Sequence, residues 1–164
     1  MTKLPKIISI VLLVAGAVMI VLGGVTYYLV HRELADEKIV VSDDASNFQG
    51  EPVEGPFTAY AEATVIKKHA SEIADGQTYA QLAQDDPRRD SVMTSSFLRA
   101  SLFTSVVAFG VAALVVALGL LFILVGLAIM ALDRRQRALA AAGDAPPPVV
   151  APDPDPAPAA VSPA

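Results

Sequence analysis

The sequence contains no cysteine and no tryptophan, only two histidines, and 12 basic residues against 17 acidic ones. Without cysteine there is no disulfide, no zinc–thiolate site, no iron–sulfur cluster and no thiol nucleophile. A formal charge of −5 argues against nucleic acid as a partner, because that would call for a basic surface. The two histidines, His31 and His69, leave little room for a conventional metal site. No phosphate-cradling glycine loop, serine-nucleophile elbow or dinucleotide fingerprint occurs. Only 18% of the residues are charged, below the roughly 25% usual for a soluble domain.

Charge is scarcest in two runs, Ile7–Val30 and Leu102–Leu132, which hold 24 and 31 residues with no Asp, Glu, Lys, Arg or His. As helices they would measure roughly 36 and 46 Å, against a hydrocarbon core of about 30 Å. Both are expected to cross a membrane. The first run outlasts the roughly 7–15 apolar residues of a signal peptide, so a retained anchor is expected. About 70 residues lie between the runs and 32 follow them. Neither piece reaches the roughly 100–150 residues of an ordinary catalytic domain, and neither an enzyme nor a cofactor is expected.

Orientation follows from the basic flanks. Lys3 and Lys6 precede the first run; Arg134, Arg135 and Arg137 follow the second. Residues 31–101 carry seven basic and thirteen acidic side chains. The expected layout is a cytoplasmic N-terminus over 1–6, transmembrane helices over 7–30 and 102–132, an extracytoplasmic segment over 31–101, and a cytoplasmic tail over 133–164. The chain is thus read as mainly α, in a bacterial inner membrane, both termini cytoplasmic. Tyr27 and Tyr28 fall at the outer interface, where amphipathic rings are favoured.

Within the central segment, the first helix is expected to continue a turn or two past His31, and Ile39-Val40-Val41 to form a short strand in otherwise irregular chain. Ala59, Ala63, Ile66, Ala70 and Ile73 form one stripe, predicting a helix over about 57–74, with Pro56 at its start and Gly76 as its stop. Thr78-Tyr79-Ala80-Gln81 fits a capping box opening a short helix that places Leu82 inside. Asp86-Pro87 predicts the start of a long stalk helix running from 87 to about Arg137, with Val92, Met93, Phe97 and Leu98 receiving the stripe. The result is a small helical cap on two spans. The tail holds eight prolines after residue 137 and is expected to be disordered from about 141, because so little of it is apolar bulk.

Glu62, His69 and Glu72 could share one helix face and touch a metal; ordinary solvated charge pairing is the simpler expectation, and no metal site is assigned. Asp43-Asp44 and Asp85-Asp86 lack calcium-loop spacing.

Small residues recur every seven positions in both spans: Gly16 and Gly23 in the first, Ser105, Ala112, Gly119 and Gly126 in the second. Lipid supplies little hydrophobic drive between helices, so close backbone approach must supply the attraction. The expected arrangement is antiparallel packing within one chain, Gly16 near Gly126 and Gly23 near Gly119; the competing one is a homodimer along the Gly119 stripe.

The strings Gly55-Pro56-Phe57-Thr58-Ala59-Tyr60-Ala61, Lys68-His69-Ala70, Gln77-Thr78-Tyr79-Ala80, Asp86-Pro87-Arg88 and Ser96-Phe97-Leu98-Arg99-Ala100-Ser101-Leu102-Phe103-Thr104 resemble a group of small actinobacterial two-span membrane proteins of unsettled role, whose genome label often reads "aromatic ring-opening dioxygenase LigA". The resemblance covers roughly residues 1–135. A ring-opening enzyme of that kind holds iron with two His and a carboxylate in a protected pocket, whereas here both histidines lie in the small cap segment. The resemblance therefore implies a topology and an actinobacterial envelope, and carries no catalytic residue over. The expected role is an accessory or scaffold component of a larger membrane or envelope complex, with membrane lipid and envelope proteins as partners. The alternative is a sensor whose cap binds a ligand and whose stalk relays it. A bare apolar face in the cap favours the first, a buried polar pocket the second.

Overall fold

The computed structural model describes residues 4–143. Three helices account for the regular structure of those residues: α1 (Leu4–Asp36, 33 residues), α2 (Pro56–Ile73, 18 residues) and α3 (Arg89–Gly143, 55 residues). At 1.5 Å per residue α3 is about 80 Å long. The two long helices are apolar enough over their charge-free runs to cross a membrane. The two threonine hydroxyls within those runs turn back onto their own helix: Thr26 donates to the Leu22 carbonyl and Thr104 to that of Ala100. This leaves no side-chain donor of theirs facing outward unpaired.

α1 and α3 pack antiparallel along their small residues. A methyl group on Gly16 would lie 2.5 Å from the Gly119 carbonyl oxygen; one on Gly23 would lie 2.9 Å from the Ala112 carbonyl; one on Gly126 would lie 3.1 Å from the Ser9 carbonyl. The contacts step by seven residues on both helices. The register differs from the expected one: Gly16 meets Gly119 rather than Gly126, and Gly23 meets Ala112 rather than Gly119. Ser9, fully buried, completes the stripe of α1 opposite Gly126. Towards the loop end, Tyr27 packs edge-on against the buried Phe109, ring centroids 4.7 Å apart.

The segment joining α1 to α2 is more ordered than its composition predicts. Val41 N–H donates to the Glu51 carbonyl at 2.9 Å, Gly50 N–H to the Val41 carbonyl at 3.0 Å, and Val53 N–H to the Ile39 carbonyl at 2.9 Å. Instead of a strand there is one antiparallel bridge, Val40 with Pro52. This tight hairpin buries Val41 and Val53 almost completely. Its tip places Phe48 at φ 64 and Gly50 at φ 72. The first is an uncommon conformation for a bulky side chain.

α2 starts where Pro56 fixes a helical φ and the Thr58 hydroxyl accepts from the Gly55 N–H at 3.2 Å. It ends as Asp75 and Gly76 turn left-handed and Gly76 N–H closes onto the Ser71 carbonyl at 2.7 Å. The expected helix after Thr78 does not form. The Gln81 side chain accepts from the Thr78 N–H at 2.8 Å, but the chain makes only a turn before Leu82 is buried beside Ala74 and Val92.

α3 begins at Arg89, two residues after the position assigned from Asp86-Pro87, and extends to Gly143 rather than Arg137. Residues 141–143, expected in the disordered tail, are thus helical; the rest of that tail lies outside the described residues, as does Lys3. Of the four stalk side chains expected to meet α2, Val92 is buried and Met93 partly so, while Phe97 and Leu98 are exposed. The face that meets α2 runs instead through Val92, Ser96, Arg99 and Phe103, one side of a helix at 3–4-residue spacing.

One cluster holds the cap together: Leu34 of α1, Val41 and Val53 of the hairpin, Ala59, Ala63 and Val65 of α2, and Leu102 and Phe109 of α3. Alanines let α2 lie close to α3; the hairpin valines fill the remaining volume.

Candidate functional site

The cap's polar groups explain why the hairpin stays on α2. Glu62, expected on a solvated face, is 7% exposed. Its carboxylate accepts from the Ser42 N–H at 2.8 Å and from the Ser42 hydroxyl at 3.1 Å. One turn and a half further on, Asp44 accepts from Lys68 Nζ at 2.8 Å and lies 2.9 Å from His69 Nε2. The hydrogen bond from Lys68, then that from His69, holds the Asp44 carboxyl below its ordinary range, and the same contact raises the Lys68 ammonium. His31, at the end of the first run, places Nδ1 2.7 Å from the Glu54 carbonyl. The structure therefore separates Glu62 from His69 and Glu72, and no group of three potential metal ligands occurs among the described residues.

Two of the cap's concave features bear on function. The first lies between the hairpin tip and α2. Phe48, Phe57, Tyr60, Ala61 and Val65 line a groove of about 320 Å³, with Asp44 and Lys68 at one end. Phe57 is 74% exposed, Tyr60 54% and Phe48 40%. Tyr60 is braced edge-on by Phe103, centroids 5.7 Å apart. Phe48 and Phe57 also line a second, shallower groove that reaches Tyr27 and His31 and includes Glu51 and Glu54.

The second feature is a cleft of about 210 Å³ between the C-terminal half of α2, the 76–79 turn and α3. Lys67 and Arg99 are its charged lining residues. The Arg99 guanidinium lies 5.3 Å from the Phe103 ring centroid, and its Nε is buried with no hydrogen-bond partner. Nearby, Arg88 holds Asp86 through both edges of the carboxylate, Nε to Oδ1 at 3.0 Å and Nη2 to Oδ2 at 2.8 Å, and reaches Asp75 at 2.8 Å. That pairing draws the Asp86 carboxyl down to about 2.

The helix-packing residues all lie on α1 and α3, away from both grooves. Gly16, Gly23, Ala112, Gly119 and Gly126 are buried in the seam; Ser105 is half-buried and its hydroxyl donates to the Ser101 carbonyl. Lys6 and the Arg134, Arg135 and Arg137 group share one end of the antiparallel pair, with Arg137 paired to Asp133 at 2.8 Å. The two grooves were not foreseen. Phe48, Phe57 and Tyr60 are scattered over thirteen residues, and only the hairpin gathers them. Arg99, between Phe97-Leu98 and Ala100-Ser101, read as an ordinary stalk residue.

The chain matches no family model, no curated protein and no solved structure.

Proposed function

We propose that the chain is a non-enzymatic two-pass protein of a bacterial inner membrane, both termini cytoplasmic. In this reading it is an accessory or scaffold component that docks on a larger membrane or envelope protein through the Phe48–Phe57–Tyr60 groove. The observation that carries the reading is the exposure of three aromatic rings around one groove of a small, tightly tied cap. Large aromatic side chains dominate protein interfaces because they bury much area at little entropic cost. They are unusual on a free surface when clustered. Two of the three rings are held before any partner arrives: Tyr60 by Phe103, Phe48 by the hairpin that Glu62 and Asp44 fasten to α2. The membrane reading is supported by the two charge-free runs and by the common end shared by Lys6 and the arginines. The resemblance to actinobacterial two-span proteins belongs to the same reading, with an envelope complex as the partner.

A photo-reactive phenylalanine tests it in intact cells. Placed at Phe57 it is expected to give a discrete protein adduct that disappears in Tyr60→Ser; placed at Leu124, exposed on α3, it is expected to give lipid adducts alone. Lipid adducts alone at Phe57 would overturn the docking reading.

A further inference from the structure

Three of the chain's arginines are partly buried: Arg88, Arg89 and Arg99. Arg88 fills its donor edge with Asp86 and Asp75, and Arg89 donates to the carbonyls of Tyr79 and Leu82. Arg99 has neither. Its Nε is buried without a partner, and among the described residues no carboxylate forms an ion pair with Arg99 or with Lys67. A buried charged donor left unpaired is costly, and in native proteins it usually has a ligand, an ion or a water. The surroundings sharpen the contrast. Residues 31–101 carry thirteen acidic side chains against seven basic, yet no Asp or Glu lines the α2–α3 cleft.

We propose that this cleft binds the phosphate of an anionic phosphate ester, with Arg99 and Lys67 as its charged donors. The inference goes beyond the docking reading and uses other residues. Parallel N–H groups on the Nε/Nη edge of a guanidinium match two oxygens of an oxoanion. Arg88 shows this edge occupied, by the Asp86 carboxylate; in Arg99 the buried Nε bonds no protein group, and a turn of the side chain into the cleft brings that edge to a ligand. Two cations and no counter-charge suit a phosphate better than a single carboxylate. Ser71 and Gln77 add a hydroxyl and an amide at the rim, while Ile66 and Val92 give the floor apolar surface. An ester with an organic body fits that combination.

The phosphate has two possible sources. Arg99 stands three residues before the apolar run that begins at Leu102, about 5 Å along the helix. In the proposed two-pass arrangement that is the depth of lipid headgroups, so an outer-leaflet anionic phospholipid can reach it. A soluble phosphate ester can reach it from the aqueous side.

Full-length protein in mild detergent separates them. Phosphatidylglycerol, with phosphatidylcholine as the zwitterionic control, is scored by native mass spectrometry; glycerol 1-phosphate is scored by the rise in thermal midpoint. Retention of phosphatidylglycerol without a response to glycerol 1-phosphate identifies a lipid headgroup site; a response to glycerol 1-phosphate identifies a soluble ligand. In either case binding is expected to fall about tenfold in Arg99→Gln, the weight of one charge-assisted hydrogen bond. It should fall also in Lys67→Gln, whose exposed side chain can be changed without disturbing the core. Arg99→Lys, which keeps the charge but loses the fork, should lie between, and Arg135→Gln should bind as the wild type does. Binding of neither probe, or equal binding by wild type, Arg99→Gln and Lys67→Gln, overturns the proposal.

Discussion

Gly16 and Gly119 meet backbone to backbone: a methyl group on Gly119 would lie 2.7 Å from the Gly16 carbonyl oxygen, and one on Gly16 2.5 Å from that of Gly119. Carbonyls cannot retreat as the end of a flexible side chain can, so the helices must separate to admit a side chain. Gly119→Ile is expected to destabilise the helix pair by about 1–3 kcal/mol, the usual cost of overpacking. Gly24 and Gly110 have nothing within 4 Å of a methyl group, so Gly24→Ala and Gly110→Ala should be neutral or slightly stabilising, since alanine is the better helix former. Thermal unfolding followed by circular dichroism measures all three.

The register can be read chemically because the chain has no cysteine of its own. Ser9→Cys with Gly126→Cys is expected to form an intramolecular disulfide, since the Ser9 carbonyl lies 3.1 Å from the place of a Gly126 side chain. Gly16→Cys with Gly126→Cys is expected to form none within one chain. Seven residues of helix separate those positions by about 10 Å, beyond the roughly 7 Å that a disulfide bridges. Non-reducing electrophoresis distinguishes monomer from dimer products. Dimers alone from the first pair would place this seam between chains.

In the proposed topology, single cysteines at Asn47 and Gln77 should react with an impermeant thiol reagent on intact cells, and one at Ser162 should not. Labelling of Ser162 without Asn47 would invert the arrangement.

The long helices and α2 were legible because each is written in local pattern: a charge-free run, or an alanine stripe behind Pro56. The rest depended on contacts between distant residues. A stripe with a seven-residue period fits a neighbour equally well when slid by seven, so Gly16 and Gly23 could not reveal which small residue each would meet. Ser9 passed unnoticed because one serine before Gly16 is no pattern by itself. The hairpin is built from backbone hydrogen bonds between Val41, Gly50, Glu51 and Val53, and Pro52-Val53 is too short to show strand alternation. Glu62 looked like a solvated charge until that hairpin brought Ser42 to it. Phe97 and Leu98 looked like core because they are apolar; the α2-facing side of α3 takes Ser96 and Arg99 instead. Both cap grooves depend on these long-range contacts, which is why neither was visible in the sequence.

Asp86 ties the start of α3 to the turn before it. Its Oδ1 accepts from the Arg88 N–H at 2.9 Å, and Arg88 fastens it further to Asp75. The side-chain hydrogen bonds from Arg88, then its backbone N–H, lower the Asp86 carboxyl from 3.8 to about 2. A group whose pKa is lower in the folded state stabilises that state fully above its unfolded value and loses this contribution as pH falls through the folded value. Thermal midpoints of the wild type and Asp86→Asn should therefore differ most above about pH 4 and converge towards pH 2. A constant difference across that window would assign the stabilisation to the cap geometry rather than to the charge.

The Glu62–Ser42 contact is the deepest polar tie in the cap, and it joins α2 to the hairpin that carries Phe48. Glu62 accepts both the N–H and the hydroxyl of Ser42, at the point where the chain leaves the buried Val41 and turns towards Phe48. Glu62→Ala leaves that N–H without its acceptor, at about 1–3 kcal/mol. Glu62→Gln keeps an acceptor oxygen and should cost less, and Ser42→Ala, which removes only the hydroxyl, less still. Hydrogen exchange followed by mass spectrometry is expected to show the loss locally: the amides of Val41, Gly50 and Val53, whose bonds close the hairpin, should exchange faster in Glu62→Ala. Those of α3 beyond Phe109 should not change. Uniform acceleration through α3 would mean that the hairpin and the helix pair unfold as one unit; no change at Val41 would mean that its burial, not the carboxylate, holds the hairpin on α2.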